Sequence, residues 1–371
     1  MNLLLFLTCL VLAIPAQSQN ANPSDTTTFR AEEVSYWNYT DSVKLAGTLT
    51  IPNHPRQQQF PAALLITGSG AQDRDETILG HKPFKVIAEY LSARGFAVLR
   101  VDDRGTGQSS AGRNPKEATS ANFAGDVAAG LAFLKSRPEI ELGRVGLIGH
   151  SEGGMIAPML AVRFPRDVAF IVSLAGTGVS GGTILKTQLR AGAVAGGVDS
   201  VLIDKNYAAW LDPLLDESLV TQDTARLRAV AQRGFNALRL QLTDAERKKL
   251  GQTPQLEKYL SNVYVKMVTS PWMRYFIAHD PAENWRLVTC QVLALNGTLD
   301  RQVDAELNLK GIGEALKAGG NTRYRLLRLP GQNHLFQHAK TGAGSEYASL
   351  KEDFSTEALE AMGAWLAQFK K

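Results

Sequence analysis

The chain has 371 residues, a formal net charge of +4 at pH 7, 44% hydrophobic and 20% charged residues. This length accommodates one large domain with an insertion, or two domains, and the composition is that of a soluble globular protein. The charge bias is weak and no Lys/Arg cluster is interleaved with aromatics, which gives no basis for nucleic-acid binding.

Residues 3–14 form an almost unbroken apolar run, too short for a membrane-spanning helix and of the length of a signal-peptide core. Pro15 breaks it, and Ala16-Gln17-Ser18 supplies small residues where a signal peptidase reads. Residues 1–18 are therefore expected to be a signal peptide cleaved after Ser18, although Met1-Asn2 lacks the usual basic residue. The expectation is a secreted or periplasmic protein with no stable membrane insertion after cleavage. Cys9 lies inside the apolar run, not after it, which argues against lipidation. Without the leader, Cys290 is the only cysteine, so an intramolecular disulfide is excluded and a packing role is expected.

Residues 34–38 and 43–51 read as two strands joined by a turn at Thr40-Asp41-Ser42. The apolar run 62–66 has buried-strand character and ends in Gly68-Ser69-Gly70. Phe84, Ile87, Ala88 and Leu91 follow at helical spacing, stopped by Arg94-Gly95. Strands are expected at 97–101, 145–148 and 168–174, with a helix through Phe123, Val127, Leu131 and Leu134 between the first two. Near Gly178 the alternation stops, and helical stretches such as 184–195 and 225–240 follow. Thr243-Asp244-Ala245-Glu246 has the form of a capping box. Alternation resumes with strand 292–295, helix 307–316, strand 324–329 and helix 357–369.

Strands separated by helices of this length predict right-handed crossovers and a mostly parallel α/β sheet. The domain reading is a core in two parts, residues 29–180 and 286–371, interrupted by a helical cap at 181–285.

The chemistry is expected at the strand ends. Strand 145–148 runs into Gly149-His150-Ser151-Glu152-Gly153-Gly154, followed by a helix-compatible stretch. In this strand–turn–helix setting, G-x-S-x-G lifts the serine hydroxyl clear of the sheet, and glycine relieves crowding on either side. A serine needs a base to act as a nucleophile at neutral pH, and the base needs an orienting carboxylate. His334, on the loop after strand 324–329, fits the base; His338, four residues further on, is the alternative. Asp300, on the loop after strand 292–295, fits the acid; Asp304 is the rival, placed to cap the next helix.

Two backbone N–H groups are needed for a developing oxyanion. Glu152 is expected to supply one, and Ser69, or next Gly70, the other. The glycine-rich loop has neither nucleotide-binding pattern, and His334/His338 lack the H-E-x-x-H glutamate, so no cofactor and no metal are expected. Asp102-Asp103-Arg104-Gly105-Thr106-Gly107 is read as a structural charge network, with Arg104 a candidate partner for the Glu152 side chain. Trp272, Tyr275, Phe276 and Trp285 are read mainly as core, with some available to line an acyl pocket.

Taken together, Ile66-Thr67-Gly68-Ser69-Gly70, Asp103-Arg104-Gly105-Thr106-Gly107-Gln108-Ser109, the Gly149–Gly154 stretch, Leu295-Asn296-Gly297-Thr298-Leu299-Asp300 and Pro330-Gly331-Gln332-Asn333-His334 resemble the bacterial α/β-hydrolase family of esterases and serine-aminopeptidase-like hydrolases. The nearest likeness is to secreted carboxylesterases carrying G-H-S-E-G-G. The resemblance spans roughly residues 30–370 and departs at Thr67, where many members carry histidine. It implies hydrolysis of a small-molecule acyl ester without a cofactor. A peptidase or acyltransferase of the same fold, or a non-catalytic ligand-binding protein on this scaffold, stays open at this point.

Overall fold

The computed structural model describes residues 28–54 and 58–370; the leader read at 1–18 lies outside the described residues. The apolar run that ends at Ile66 becomes β3 (Phe60–Ile66), buried at every position, as expected of a strand covered on both faces. Before it come β1 (Phe29–Asn38) and β2 (Val43–Pro52), paired antiparallel from Phe29 against Pro52 to Asn38 against Val43. After it come α1 (Pro83–Ser92), β4 (Ala97–Val101), α2 (Ser120–Ser136), β5 (Ile140–His150), α3 (Glu152–Arg163) and β6 (Phe170–Leu174). The final strands are β7 (Gln291–Gly297) and β8 (Tyr324–Leu329).

These strands form one eight-stranded sheet in the order β1-β2-β4-β3-β5-β6-β7-β8. Strand β2 runs antiparallel to β1 and β4, and every pair from β4 to β8 is parallel. The mostly parallel α/β sheet predicted from the alternation is therefore present. Between β3 and β5 the winding reverses: the chain leaves β3 towards β4 and leaves β5 towards β6 on the other side. In open α/β sheets a crevice forms at the carboxyl ends of such neighbours.

Each sheet face buries its own apolar layer. One holds Leu64, Leu99, Leu131, Leu134, Leu147 and Ile156 beneath α2 and α3. The other holds Leu65, Val98, Ile148 and Val172 against Phe84, Ile87 and Leu91 of α1. Burying each such Leu, Ile or Phe stabilises the fold by about 1.5–3 kcal/mol before entropy is counted.

Between β6 and β7 the chain forms only helices: α4 (Gly181–Ala195), α5 (Ser200–Val220), α6 (Thr224–Gln241), α7 (Asp244–Lys249), α8 (Pro254–Val268), α9 (Pro271–Ala278) and α10 (Pro281–Trp285). They bury a cluster in which Trp210 stacks on Phe235 at 4.8 Å and meets Tyr264 edge-on at 5.1 Å. The capping box at Thr243 and Glu246 opens α7 as its sequence predicts. Helices α11 (Ala305–Ala318) and α12 (Thr356–Leu366) complete the chain; the last helix was expected to reach 369, but a short 3-10 turn (Ala367–Phe369) follows instead.

Strand β5 begins five residues before the expected start at 145: Ile140 pairs with Phe60, and after an irregularity regular pairing starts at Val145 against Ala62. The polar Glu141, Gly143 and Arg144 give no apolar signal for the early start. Helix α5 was not singled out in the sequence; Pro213 sits inside it and interrupts the usual helical reading.

Candidate functional site

Ser151 follows the last residue of β5 with φ 52 and ψ −114, a left-handed-side conformation that side chains rarely adopt. Its N–H donates to Leu174 O at 2.9 Å, so the turn is pinned to β6. The glycines explain themselves by contact. A Cβ at Gly149 would lie 2.1 Å from Gly153 O, and one at Gly153 would lie 2.1 Å from Ile66 O. The turn can form only because β5, α3 and β3 approach backbone to backbone. Strain of this kind is held by the surroundings and concentrates at functional sites.

Asp300 and His334 meet. The loops after β7 and β8 bring Asp300 Oδ2 to 2.8 Å from His334 Nδ1, with both side chains almost fully buried. The other carboxylate oxygen, Asp300 Oδ1, accepts the Gln302 and Val303 N–H groups at 2.8 Å each, which fixes the carboxylate plane. His334 sits in a tight loop in which Asn333 Oδ1 accepts the N–H groups of Leu335 and Gln337. The rivals lie elsewhere. Asp304 caps α11 through Leu307 N–H at 2.8 Å, and His338 is half exposed beside Glu352. Cys290 is partly buried just before β7, and burial pushes its thiol up to about 12.

The loop from Thr67 to Gln72 faces the Ser151 turn across the β3–β5 crevice. Carboxyl groups hold it at successive residues. Asp103, after β4, accepts from Thr67 Oγ1 at 2.7 Å and from Gln72 N–H at 3.0 Å. Glu76 Oε1 accepts Gly68 N–H at 2.6 Å. Gly68 N–H is thus committed, whereas the N–H groups of Ser69, Gly70 and Glu152 donate to no protein acceptor among the described residues. A Cβ on Gly68 would lie 3.2 Å from Ser151 Cβ, which measures how closely the loop approaches the turn.

Burial raises Asp103 to about 8, helped by the neighbouring charges of Glu76 and Glu152 and opposed by its bonds to Thr67 and Gln72. Burial likewise raises the Glu152 carboxyl, against bonds from Ser120 and Trp272. Glu152 Oε1 accepts Ser120 Oγ at 2.5 Å and Trp272 Nε1, from α9, at 2.9 Å. The expected Arg104–Glu152 pair does not form. Arg104 bonds Asp126 at 2.7 Å and Asp41 at 2.8 Å, because its side chain packs between α2 and the β1–β2 turn. Asp102 is held by Arg74 in the structural network expected of this segment. Trp285 is core, its Nε1 bonded to Thr177 O at 3.0 Å.

Glu76, the bonds of Asp103 to Thr67 and Gln72, and the Trp272 contact were not found by sequence reasoning, which read Asp103 only as part of a structural charge network. Glu76 lies in an irregular loop without periodicity, and only its nearness to the glycine-rich turn was visible. Among the described residues no group of His, Cys, Asp or Glu side chains is placed to hold a metal ion, and no helix is long and apolar enough to cross a membrane.

A family model described as the alpha/beta hydrolase fold matches residues 61–340. The chain is 35% identical to esterase EstD of Thermotoga maritima over 130 residues, which covers 35% of this chain and 30% of that esterase. Hypothetical protein PA2218 of Pseudomonas aeruginosa superposes with a TM-score of 0.56 at 14% identity, covering 96% of this chain and 100% of that one. The Pyrococcus furiosus esterase Pf2001 superposes with a TM-score of 0.53 at 16% identity, covering 96% and 97% respectively. With a mostly parallel eight-stranded sheet and a family match across most of its length, the chain belongs to the α/β-hydrolase-fold family.

Proposed function

We propose that this protein is a serine hydrolase that cleaves carboxylic esters, with Ser151 as nucleophile, His334 as base and Asp300 as its orienting acid. The observation that carries the reading is the buried 2.8 Å bond from His334 Nδ1 to Asp300, set at the sheet edge that also bears the strained Ser151 turn. A carboxylate on Nδ1 fixes the tautomer that leaves Nε2 as the proton acceptor.

Ser151 Oγ attacks the ester carbonyl carbon as its proton passes to His334 Nε2. Asp300 stabilises the imidazolium that results, and the Ser69 and Glu152 N–H groups receive the oxyanion, with Gly70 as the alternative to Ser69. Collapse of this intermediate breaks the bond to the alcohol oxygen, which leaves with the proton from His334. Water, deprotonated by His334, then attacks the acyl-enzyme, releasing the acid and restoring Ser151 Oγ–H. The chain's own groups supply every proton transfer, so the mechanism requires no cofactor.

The helical segment 181–285 serves as a cap over this site in the same reading, with Trp272 and Phe276, stacked at 5.5 Å, as a wall for the acyl or alcohol part of a small ester. The leader at 1–18 directs export to the periplasm or medium; amino-terminal sequencing of the mature protein tests this by finding a start at residue 19 or at Met1.

The test of the function is turnover of p-nitrophenyl esters from acetate to laurate by the mature chain. Saturable hydrolysis with an acyl optimum supports the reading. Ser151→Ala should lower kcat by about 10³-fold or more, and a loss under tenfold would remove Ser151 from the reaction.

A further inference from the structure

His150, the last residue of β5, is buried and engages both of its ring nitrogens. Its Nε2 lies 2.9 Å from the main-chain oxygen of His334, an atom that only accepts, so Nε2 carries a proton. Its Nδ1 lies 2.9 Å from Glu76 Oε1, the same oxygen that takes the Gly68 N–H at 2.6 Å. Glu76 Oε2 is buried and has no protein partner among the described residues, so both of these contacts fall on a single oxygen. An oxygen that already accepts one N–H serves best as acceptor for the second, which puts a proton on Nδ1 as well.

We propose that His150 and Glu76 form a buried imidazolium–carboxylate pair that positions the oxyanion loop and the His334 main chain together. The catalytic consequence rests on the serine-hydrolase reading; the pair itself does not. From Gly68 through Glu76 and His150 to His334 O, each link is a single hydrogen bond. The chain of contacts therefore joins the β3 loop, which faces the oxyanion, to the β8 loop, which carries the base. A shift in either loop reaches the other through two side chains.

The groups facing His150 are Glu76 from the loop after β3, Asp300 from the loop after β7 and His334 from the loop after β8. The His150 and His334 rings are 4.7 Å apart, and the Phe336 ring closes the apolar side at 6.5 Å. Asp103 lies on the Glu76 side, where burial raises it to about 8 and keeps it a neutral acid near pH 7. Burial opposes the charged imidazole, but Glu76, the His334 carbonyl and Asp300 outweigh it and raise His150 above its ordinary value. A raised histidine contributes stability that is complete below the unfolded value, about 6.5, and is lost as pH rises through the folded value. His150 and Glu76 are thus positioning residues with an alkaline limit. They are not proton carriers in the reaction.

The experiment records ring-nitrogen spectra of the full chain labelled with ¹⁵N-histidine from pH 5 to 9, with kinetics of Glu76→Gln and His150→Asn. One histidine should keep both ring nitrogens protonated above pH 7.5, and that signal should vanish in His150→Asn. In Glu76→Gln the same ring should lose its second proton near neutrality. Both variants should lose about tenfold to a hundredfold in kcat, with KM changed less than threefold, as expected of misplaced groups. In Glu76→Gln the acid limb of kcat/KM should move to higher pH, because the cation beside His334 is gone.

A wild-type spectrum in which every histidine is singly protonated at pH 7.5 overturns the pair, whatever the kinetics. That spectrum decides the charge state even if a variant fails to fold. A doubly protonated His150 in a chain without esterase activity keeps the pair and removes the serine-hydrolase reading. Variants with unchanged kcat and an unmoved acid limb overturn the positioning role.

Discussion

At the carboxyl edge of the sheet, position is set by main chain and by buried polar bonds. The Ser151 turn is pinned by Leu174 O, the Asp300 carboxylate by two N–H groups, and the loop at Thr67–Gln72 by carboxyls. In the helical segment 181–285, position is set by apolar side chains, with Trp210, Phe235 and Tyr264 at the centre and helix caps at the ends. The two regions meet at few polar points, chiefly Trp272 on Glu152 and Gln188 near Gln302. The difference teaches a division of labour. The sheet edge tolerates little displacement, because backbone contacts and single hydrogen bonds cannot be rebuilt by repacking. The helical segment can repack, because its contacts are dispersed over many side chains.

The largest effect should come from the edge. Asp300→Asn keeps the shape of the contact but allows the wrong His334 tautomer, and should lower kcat by about 10⁴-fold with KM little changed. Steady-state kinetics check it; a loss below tenfold would break the claim that this edge is intolerant. In the helical segment, Trp210→Ala should destabilise the protein by about 3–5 kcal/mol, read by denaturant unfolding, while Ser151 keeps its reactivity towards a fluorophosphonate in the folded fraction. Loss of labelling in folded protein would mean the segment shapes the edge directly.

These expectations differ in how far the sequence alone supports them. The parallel order of the sheet was legible because β3 to β8 alternate with amphipathic helices, and Ala97–Val101 and Tyr324–Leu329 fall where the apolar runs place them. Ser151, Asp300 and His334 were legible as candidates because each follows a strand end, and chain order restricts the choice. The props were not. Glu76 has φ 52 in a loop without regular spacing, and the partner of a buried carboxyl depends on folded geometry. Arg104 shows the limit: sharing an edge with Glu152 said nothing of direction, and its side chain turned to Asp126 and Asp41. Apolar pattern reports burial, whereas polar pairing reports geometry that no local pattern encodes.

A pH series sharpens the comparison further. Asp103 is raised to about 8 by burial, well above its ordinary value of about 3.9. A raised carboxyl favours the folded state fully below its unfolded value, and that advantage is lost as pH rises through the folded one. Wild type should therefore lose Tm relative to Asp103→Asn between about pH 4 and 8, although the asparagine forfeits the bond from Gln72 N–H. A pH-independent difference in Tm would mean that Asp103 is not buried as an acid.

The smallest effect is expected where the regions touch. Trp272→Phe removes the indole N–H from Glu152 but keeps an aromatic ring beside Phe276. A bond to a buried carboxyl contributes about 1.5–3 kcal/mol, shared here with Ser120. The variant should raise KM for p-nitrophenyl esters severalfold and leave kcat within about threefold. A collapse of kcat instead would place Trp272 among the groups that hold the Thr67–Gln72 loop, and the division between the regions would fail at that contact.

The most direct measurement is mass spectrometry of the protein after reaction with a fluorophosphonate, alongside ester turnover. The account predicts a single phosphonyl adduct on the peptide carrying Ser151, formed as ester hydrolysis is lost and absent in Ser151→Ala. An active protein that is unlabelled at Ser151, or labelled and inhibited at another serine, would contradict it.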